Sequence, residues 1–227
     1  MVIIVQHYAG SVKQYSAESR PLELPQRCPA CQASGDLIRW GHYPRWVESL
    51  EEGCLRLSIQ RLYCKACGRT HSLLPDFVHP YRHYALSWIQ LVVLAYLGGL
   101  GWRRLLRAIA AGLPRSTARE WVDSFAHGGD QLLDSLQRDL LELAPLTPLP
   151  GGLPPPHLAR VADTAKRRRL GRAHYVVLLA EQLYALVKQQ WPRLHFAADQ
   201  LLAFLLHWLQ NRSRPARLLT SPGQCGA

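Results

Sequence analysis

Long apolar runs are what this chain most clearly lacks. No stretch of its 227 residues approaches the roughly 18 consecutive apolar residues of a membrane span, so none is expected. The opening MVIIVQHYAG has five apolar residues in a row, with no basic segment before them and no small-residue cleavage site after. It reads as a short strand and not as an export signal. Acidic residues are also scarce: 16 Asp and Glu stand against 27 Lys and Arg, giving a net charge of +11 and a pI near 9.8. A balance this basic points to a polyanionic partner, nucleic acid or an anionic membrane surface. Disorder throughout is excluded by a hydrophobic content of 48%. The length allows one large domain or two to three small ones. With no export signal, a reducing cytosol is the expected compartment. Six cysteines there mean metal binding or catalysis more often than disulfides.

What is present is unevenly distributed. Residues 1–84 carry 10 Lys/Arg and 7 Asp/Glu, residues 85–144 carry 6 and 6, and residues 145–227 carry 11 and 3. The neutral middle is polarised: residues 101–119 hold five arginines and no acid, whereas 120–144 hold six acids and one arginine.

Four cysteines fall in two CxxC pairs, Cys28–Cys31 and Cys64–Cys67, with 32 residues between the pairs. Each pair forms a tight turn that aims two sulfurs at one point, and four thiolates fit a closed tetrahedral zinc site. Pro29, Gly35 and Gly68 supply turn chemistry. The spacer reads as a hairpin. Asp36–Val47 and Cys54–Tyr63 are rich in β-branched and aromatic residues, and the polar ESLEEG lies between them. Residues 1–84 are therefore expected to be a zinc ribbon with a short N-terminal strand. One structural Zn2+ per chain is expected, because four sulfurs leave no open position for water. A hairpin this small would draw most of its folding free energy from the metal. His71, four positions after Cys67, is a polar neighbour or a substitute ligand and is left out of the set. Cys54 reads as a small packed residue, and Cys225 lies in a Gly/Pro-rich tail.

Residues 85–144 read as helices. Ala85–Leu97 is apolar and is broken by GGLG. Trp102–Gly112 places Leu105, Leu106, Ile109 and Ala110 on one face, with Arg103, Arg104 and Arg107 largely on the other. After Leu113–Pro114, Ser116 is the expected N-cap of a helix Ser116–Gly128, closed by Gly128–Gly129. Helix, short glycine turn, helix is the helix-turn-helix pattern, with Ala108 at the crossing and Ala118 and Trp121 facing inward. In that reading Arg115, Ser116, Thr117 and Arg119 face a DNA groove or phosphates. The plain alternative is a helical hairpin with solvated arginines. Asp130–Ala144 reads as a further amphipathic, acidic helix.

Residues 145–157 read as a Pro/Gly-rich linker, and 158–211 as a basic arm followed by two apolar helices, His174–Gln190 and Phe196–Gln210. The arm carries Lys166, Arg167, Arg168, Arg169 and Arg172, suited to phosphates or simply a solvated basic face. The apolar helices must bury against the middle helices or another copy. Residues 212–227 read as a disordered basic tail.

The CPAC knuckle, the GHYPR strand and RLYCKACGRTHSLLPDF resemble the zinc-ribbon heads of bacterial insertion-sequence transposases, and IAAGLPRSTAREWV resembles their helix-turn-helix. The resemblance covers roughly residues 20–128. It implies recognition of double-stranded DNA at terminal inverted repeats, with Cys28, Cys31, Cys64 and Cys67 as zinc ligands and Arg115, Thr117 and Arg119 in the recognition helix. It also implies a bacterial, cytoplasmic, nucleoid-associated setting, with a transposase as a possible partner. The catalytic acidic triad of those enzymes is not matched: after residue 145 only Asp163, Glu181 and Asp199 are acids. The fold expected is α+β, mainly α: a four-cysteine zinc-ribbon hairpin, a helix-turn-helix bundle and a C-terminal helical segment. The function expected is DNA recognition or regulation tied to a mobile element, without catalysis. The alternatives are a protein-interaction adaptor of a nucleic-acid-processing complex and a metal-dependent nuclease.

Overall fold

The computed structural model describes residues 2–8, 10–18, 22–109, 111–191 and 200–211. Ala110, Asp199, Cys225, positions 196–199 of the last expected helix and the 212–227 tail lie outside the described residues. The fold is mixed α+β and divides into two compact units. One is built from Met1–Trp88 with residues 202–211, the other from Ile89–Leu201. Among the described residues, no helix is long and apolar enough to cross a membrane.

The first unit contains β1 (Val2–Gln6), α1 (Val12–Ala17), β2 (Leu37–Ser49), β3 (Gly53–Cys64) and β4 (Thr70–Pro75). The sheet order is β1-β4-β3-β2. The expected hairpin is β2–β3, turning at Gly53, whose φ of 71° favours glycine. A register shift between Arg39 and His42 places Gly41 at φ 104°. This bulge exposes backbone, and a buried side chain restores its hydrogen bonding. Gln60 donates to Gly41 O at 2.7 Å and accepts from Arg39 at 3.1 Å. The sheet goes beyond the hairpin. β4 pairs antiparallel with β3 and parallel with β1, from Val2↔His71 to Gln6↔Pro75. β4 is buried from His71 to Pro75, as a strand inside a sheet must be. Leu57, Ile59, Leu62, Leu73 and Leu74 form the core together with Val12 and Tyr15 of α1.

Arg45 closes the loop after β4. Its guanidinium donates to the carbonyls of His79, Pro80 and Arg82 at 2.5, 2.9 and 2.7 Å. Burial, with Arg82 and Arg45 nearby, holds the His79 imidazole down to about 4. The neutral ring accepts the Tyr81 N–H at Nδ1, 3.2 Å away.

The second unit takes most of α2 (Leu86–Leu97), then α3 (Trp102–Ala108), α4 (Arg115–Leu143), α5 (Pro156–Ala159) and α6 (Thr164–Gln190). α4 and α6 run parallel. Lys166 pairs with Asp123, Ala173 lies against Gly129, and Gln190 reaches Leu143 O, so contact positions advance together along both helices. On α6, Leu170, Ala173, Val177, Ala180, Tyr184 and Val187 are buried at alternating steps of three and four. That period keeps one seam facing a neighbouring helix. A parallel pair needs its connection to return the full length of the first helix, about 44 Å for 29 residues. The proline-rich segment does this: an extended chain covers about 3.1 Å per residue. It runs back along α6, with Pro148 O accepting from Gln182 at 2.8 Å. Further along, a Cβ added at Gly152 would lie 3.2 Å from Leu178, and one at Gly171 3.6 Å from Pro154.

Several helix boundaries differ from those the sequence implies. Gly128–Gly129 does not close a helix; α4 passes straight through. Glycine costs a helix roughly 1 kcal/mol. Gly129 faces Ala173 on α6, where an added Cβ would sit 3.6 Å away, an ordinary contact distance. Ser116 is not the N-cap. Pro114, at φ −58° and ψ 135°, precedes the first turn and Ser116 lies inside it. Ala108 is exposed and not a crossing point, while Ala118 and Trp121 are buried as expected. Gly112, at φ 88°, makes the turn between α3 and α4. The basic residues from Lys166 belong to the opening turns of α6, not to a separate arm. The last helix described is α7 (Leu201–Asn211).

Candidate metal centre and basic surface

The four paired cysteines converge. Their sulfurs all lie within 4.8 Å of one another, and among the described residues they are the group placed to hold a metal ion. Local turns aim each pair. In the first, Gln32 N donates to Cys28 O at 2.9 Å, with Gln32 at φ 63°. In the second, Gly68 N donates to Cys64 O at 2.9 Å, with Gly68 at φ 68°. Two features join the knuckles: Leu37 pairs with Cys64 in the hairpin, and Lys65 N donates to Asp36 O at 2.9 Å.

The spacing fits a tetrahedral ion. Zinc–sulfur bonds of about 2.3 Å at tetrahedral angles set sulfurs about 3.8 Å apart. Cys28 and Cys67 are separated by 3.8 Å, Cys31 and Cys64 by 3.7 Å. Four thiols this close cannot all ionise unaided. Burial disfavours the Cys28 thiolate, but hydrogen bonds from the Cys31 and Ala30 amides and the Cys31 and Cys64 thiols together outweigh it and draw the thiol down to about 6. The Ala33 amide favours the Cys31 thiolate, yet partial burial and the neighbouring thiols push Cys31 up to about 12. Burial likewise raises Cys64. A divalent cation offsets this repulsion.

His71 has a clearer place than sequence spacing gives it. It is fully buried on β4, with Nε2 3.4 Å from Cys28 Sγ. With its proton on Nε2 it donates to that sulfur, a contact that orients a ligand and spreads its charge. It stands beside the four-cysteine set, not in it. The signal in the sequence is its position four residues after Cys67; its pairing opposite Leu62 requires knowledge of β4.

The residues expected to contact DNA all lie in the second unit. Arg103, Arg104 and Arg107 are exposed on α3; Arg115, Ser116 and Arg119 are exposed on α4, and Thr117 is half-buried. Arg119 lies over the Trp102 ring, 5.8 Å from its centre. On α6, Lys166 Nζ is 2.8 Å from Asp123 Oδ2. Arg167 donates to Ala159 O and Thr164 Oγ1 at 3.3 Å each. Arg168 and Arg172 are exposed and Arg169 is half-buried. Asp123 lies inside the acidic block, where no sequence pattern marks it as a partner for Lys166.

Asp163 and Glu181 do not converge. Asp163 caps α6, accepting from Lys166 N at 3.0 Å, and Glu181 lies 18 residues further on. That spacing on one helix is about 27 Å, whereas a two-metal site needs its carboxylates around ions about 4 Å apart.

Residues 28–98 match a family described as a domain of unknown function, DUF6431. The match opens at Cys28, the first of the clustered cysteines, and ends just past α2. No curated protein and no solved structure matches the chain.

Proposed function

We propose that the chain is a zinc-containing protein that binds duplex DNA. In this reading the four-cysteine centre is a zinc ribbon holding one structural Zn2+. The α3–α4 pair acts as a helix-turn-helix, with the start of α4 toward the groove and α3 and the opening of α6 toward phosphates. The observation that carries it is the gathering of basic residues: Arg119 on α4 and Lys166 on α6, 47 positions apart, line one cleft, with α3 arginines exposed nearby in sequence. Lys166 is engaged by Asp123, so the exposed Arg168 carries more of the phosphate contact on α6. Association with an insertion sequence, in recognition or regulation without catalysis, is the setting that the resemblance adds.

Selection of bound duplexes from a random pool tests the reading. Enrichment of a defined site supports it, and Arg119→Ala then reduces discrimination between sites. Retention of no duplex at low salt contradicts it.

A second reading, a protein-interaction adaptor, has its own observation. The first unit exposes Trp40, Trp46 and Tyr81 at 58%, 54% and 81%. Large exposed aromatics favour protein contacts. Under that reading the purified chain fails to retard DNA but is retained by a protein partner.

A further inference from the structure

Residues 37–47 and 54–75 of the first unit carry six Lys and Arg and no Asp or Glu. Arg39 and Arg45 are committed to carbonyls within the fold. Arg56, Arg61, Lys65 and Arg69 are exposed, and their side chains have no hydrogen bond or ion pair among the described residues. The β2 bulge sets an aromatic ring beside this charge. Arg39 pairs with Leu62 and His42 with Gln60, so Trp40 and Gly41 both stand opposite Arg61. A bulge re-aims the side chains next to it. Trp40 is 58% exposed. One side of it rests on Tyr63, with ring centres 5.1 Å apart and planes at 34°. No other ring or cation lies on it among the described residues. Tyr63 in turn reaches the second knuckle: a Cβ added at Gly68 would lie 3.8 Å from its hydroxyl. Lys65 and Arg69 stand on either side of that glycine in the chain. The Arg61 guanidinium lies over the Tyr43 ring, 5.1 Å from its centre.

We infer that this open face of the first unit binds single-stranded DNA, with an unpaired base on the free side of Trp40 and the strand's phosphates on Arg61, Lys65 and Arg69. A base inside a duplex has both faces covered by its neighbours, so an exposed indole gains nothing from it. An unpaired base offers its ring face, and stacking on an aromatic side chain is the way single strands are held without sequence readout. An apolar protein surface would cover Trp40 but leave three unpaired cations without counter-charge. A strand supplies rings and anions together. Both contact groups are braced before the ligand arrives, Trp40 by Tyr63 and Arg61 by Tyr43, and a guanidinium binds phosphate through paired donors while lying on an aromatic face. The inference goes beyond duplex binding, since it assigns a different unit and an unpaired strand. It rests on the duplex reading only in its choice of DNA over RNA.

Fluorescence anisotropy of a labelled oligothymidylate of about eight nucleotides, titrated with the zinc-loaded full chain at low salt, tests it. Binding with a Kd below about 100 µM is expected. An abasic strand of the same length and charge should bind roughly tenfold more weakly, because it keeps the phosphates and loses the stacking. Trp40→Ala should weaken oligothymidylate binding by roughly tenfold and leave duplex retardation unchanged. Trp40→Phe, which keeps a ring face, should retain most of the affinity and separates lost stacking from lost fold. Arg61→Gln should flatten the slope of log affinity against log salt by about 0.7. No binding below about 100 µM overturns the inference, and so does binding that Trp40→Ala leaves unchanged or that the abasic strand equals. Tighter binding of the matching oligouridylate overturns the choice of DNA. Tighter binding of an acidic peptide of equal charge overturns the strand as occupant in favour of a protein. Failure with duplex retardation intact removes this inference alone. Loss of retardation with strand binding intact removes the duplex reading alone.

Discussion

The two units solve the same problem by different means. The first is built around a four-stranded sheet, and its four cysteines meet at a single point. The second is a parallel helix pair closed by a proline-rich return, with its apolar residues spread along 27 to 29 residues of helix. In the first, four cysteines that could hold a metal meet at one end of a sheet core. In the second, stability is distributed over a packed seam. Metal removal should therefore separate them, and so should core truncation.

The largest effect falls on the ligands. Binding of structural zinc in small domains contributes about 10–16 kcal/mol, which is folding free energy. Chelation, or Cys64→Ala at a fully buried position, should abolish amide-exchange protection in β2 and β3 while α4 and α6 stay protected. Equal loss in both units would break the contrast. Truncation of the seam comes next. Leu170→Ala, at a fully buried site, should cost about 2–5 kcal/mol in the thermal unfolding of the second unit. Under the zinc reading, the metal content of the zinc-loaded chain should be unchanged. Loss of the metal in that variant would show that the units do not stabilise themselves separately. The smallest effect has the opposite sign. Gly129→Ala adds a Cβ at ordinary contact distance from Ala173 and should stabilise α4 by about 0.5–1 kcal/mol. A drop in melting temperature would mean that the helices approach too closely at this point to admit a methyl group.

The same contrast explains how much can be read from the sequence. The metal centre is legible because CxxC pairs are local and their ligand count is a chemical constraint. The β2–β3 hairpin is legible because its alternation is local too. β4 is not: THSLLP is short and shows no alternation, and it becomes a strand through a parallel pairing with residues about 70 positions earlier. The course of α4 departs from the sequence pattern at Gly128–Gly129 because glycine marks a helix end by local rules. Here it serves a contact 44 positions away. The proline-rich return is legible as extended, but its packing along α6 depends on the parallel arrangement of the helix pair. In the candidate basic surface, arginine clustering is visible, whereas the ion pair of Lys166 with Asp123 is not, because it joins two blocks of opposite charge across the helix seam.

Anisotropy titration of a labelled duplex across a salt series, with the zinc-loaded chain and its Arg103→Ala/Arg104→Ala/Arg107→Ala variant, tests the proposed function most directly. The log of affinity should fall linearly with log salt, and the variant should flatten the slope by about 0.9 for each phosphate it no longer neutralises. No binding at low salt, or a slope that the triple change leaves as it was, would contradict the assignment of the second unit as the DNA-contacting surface.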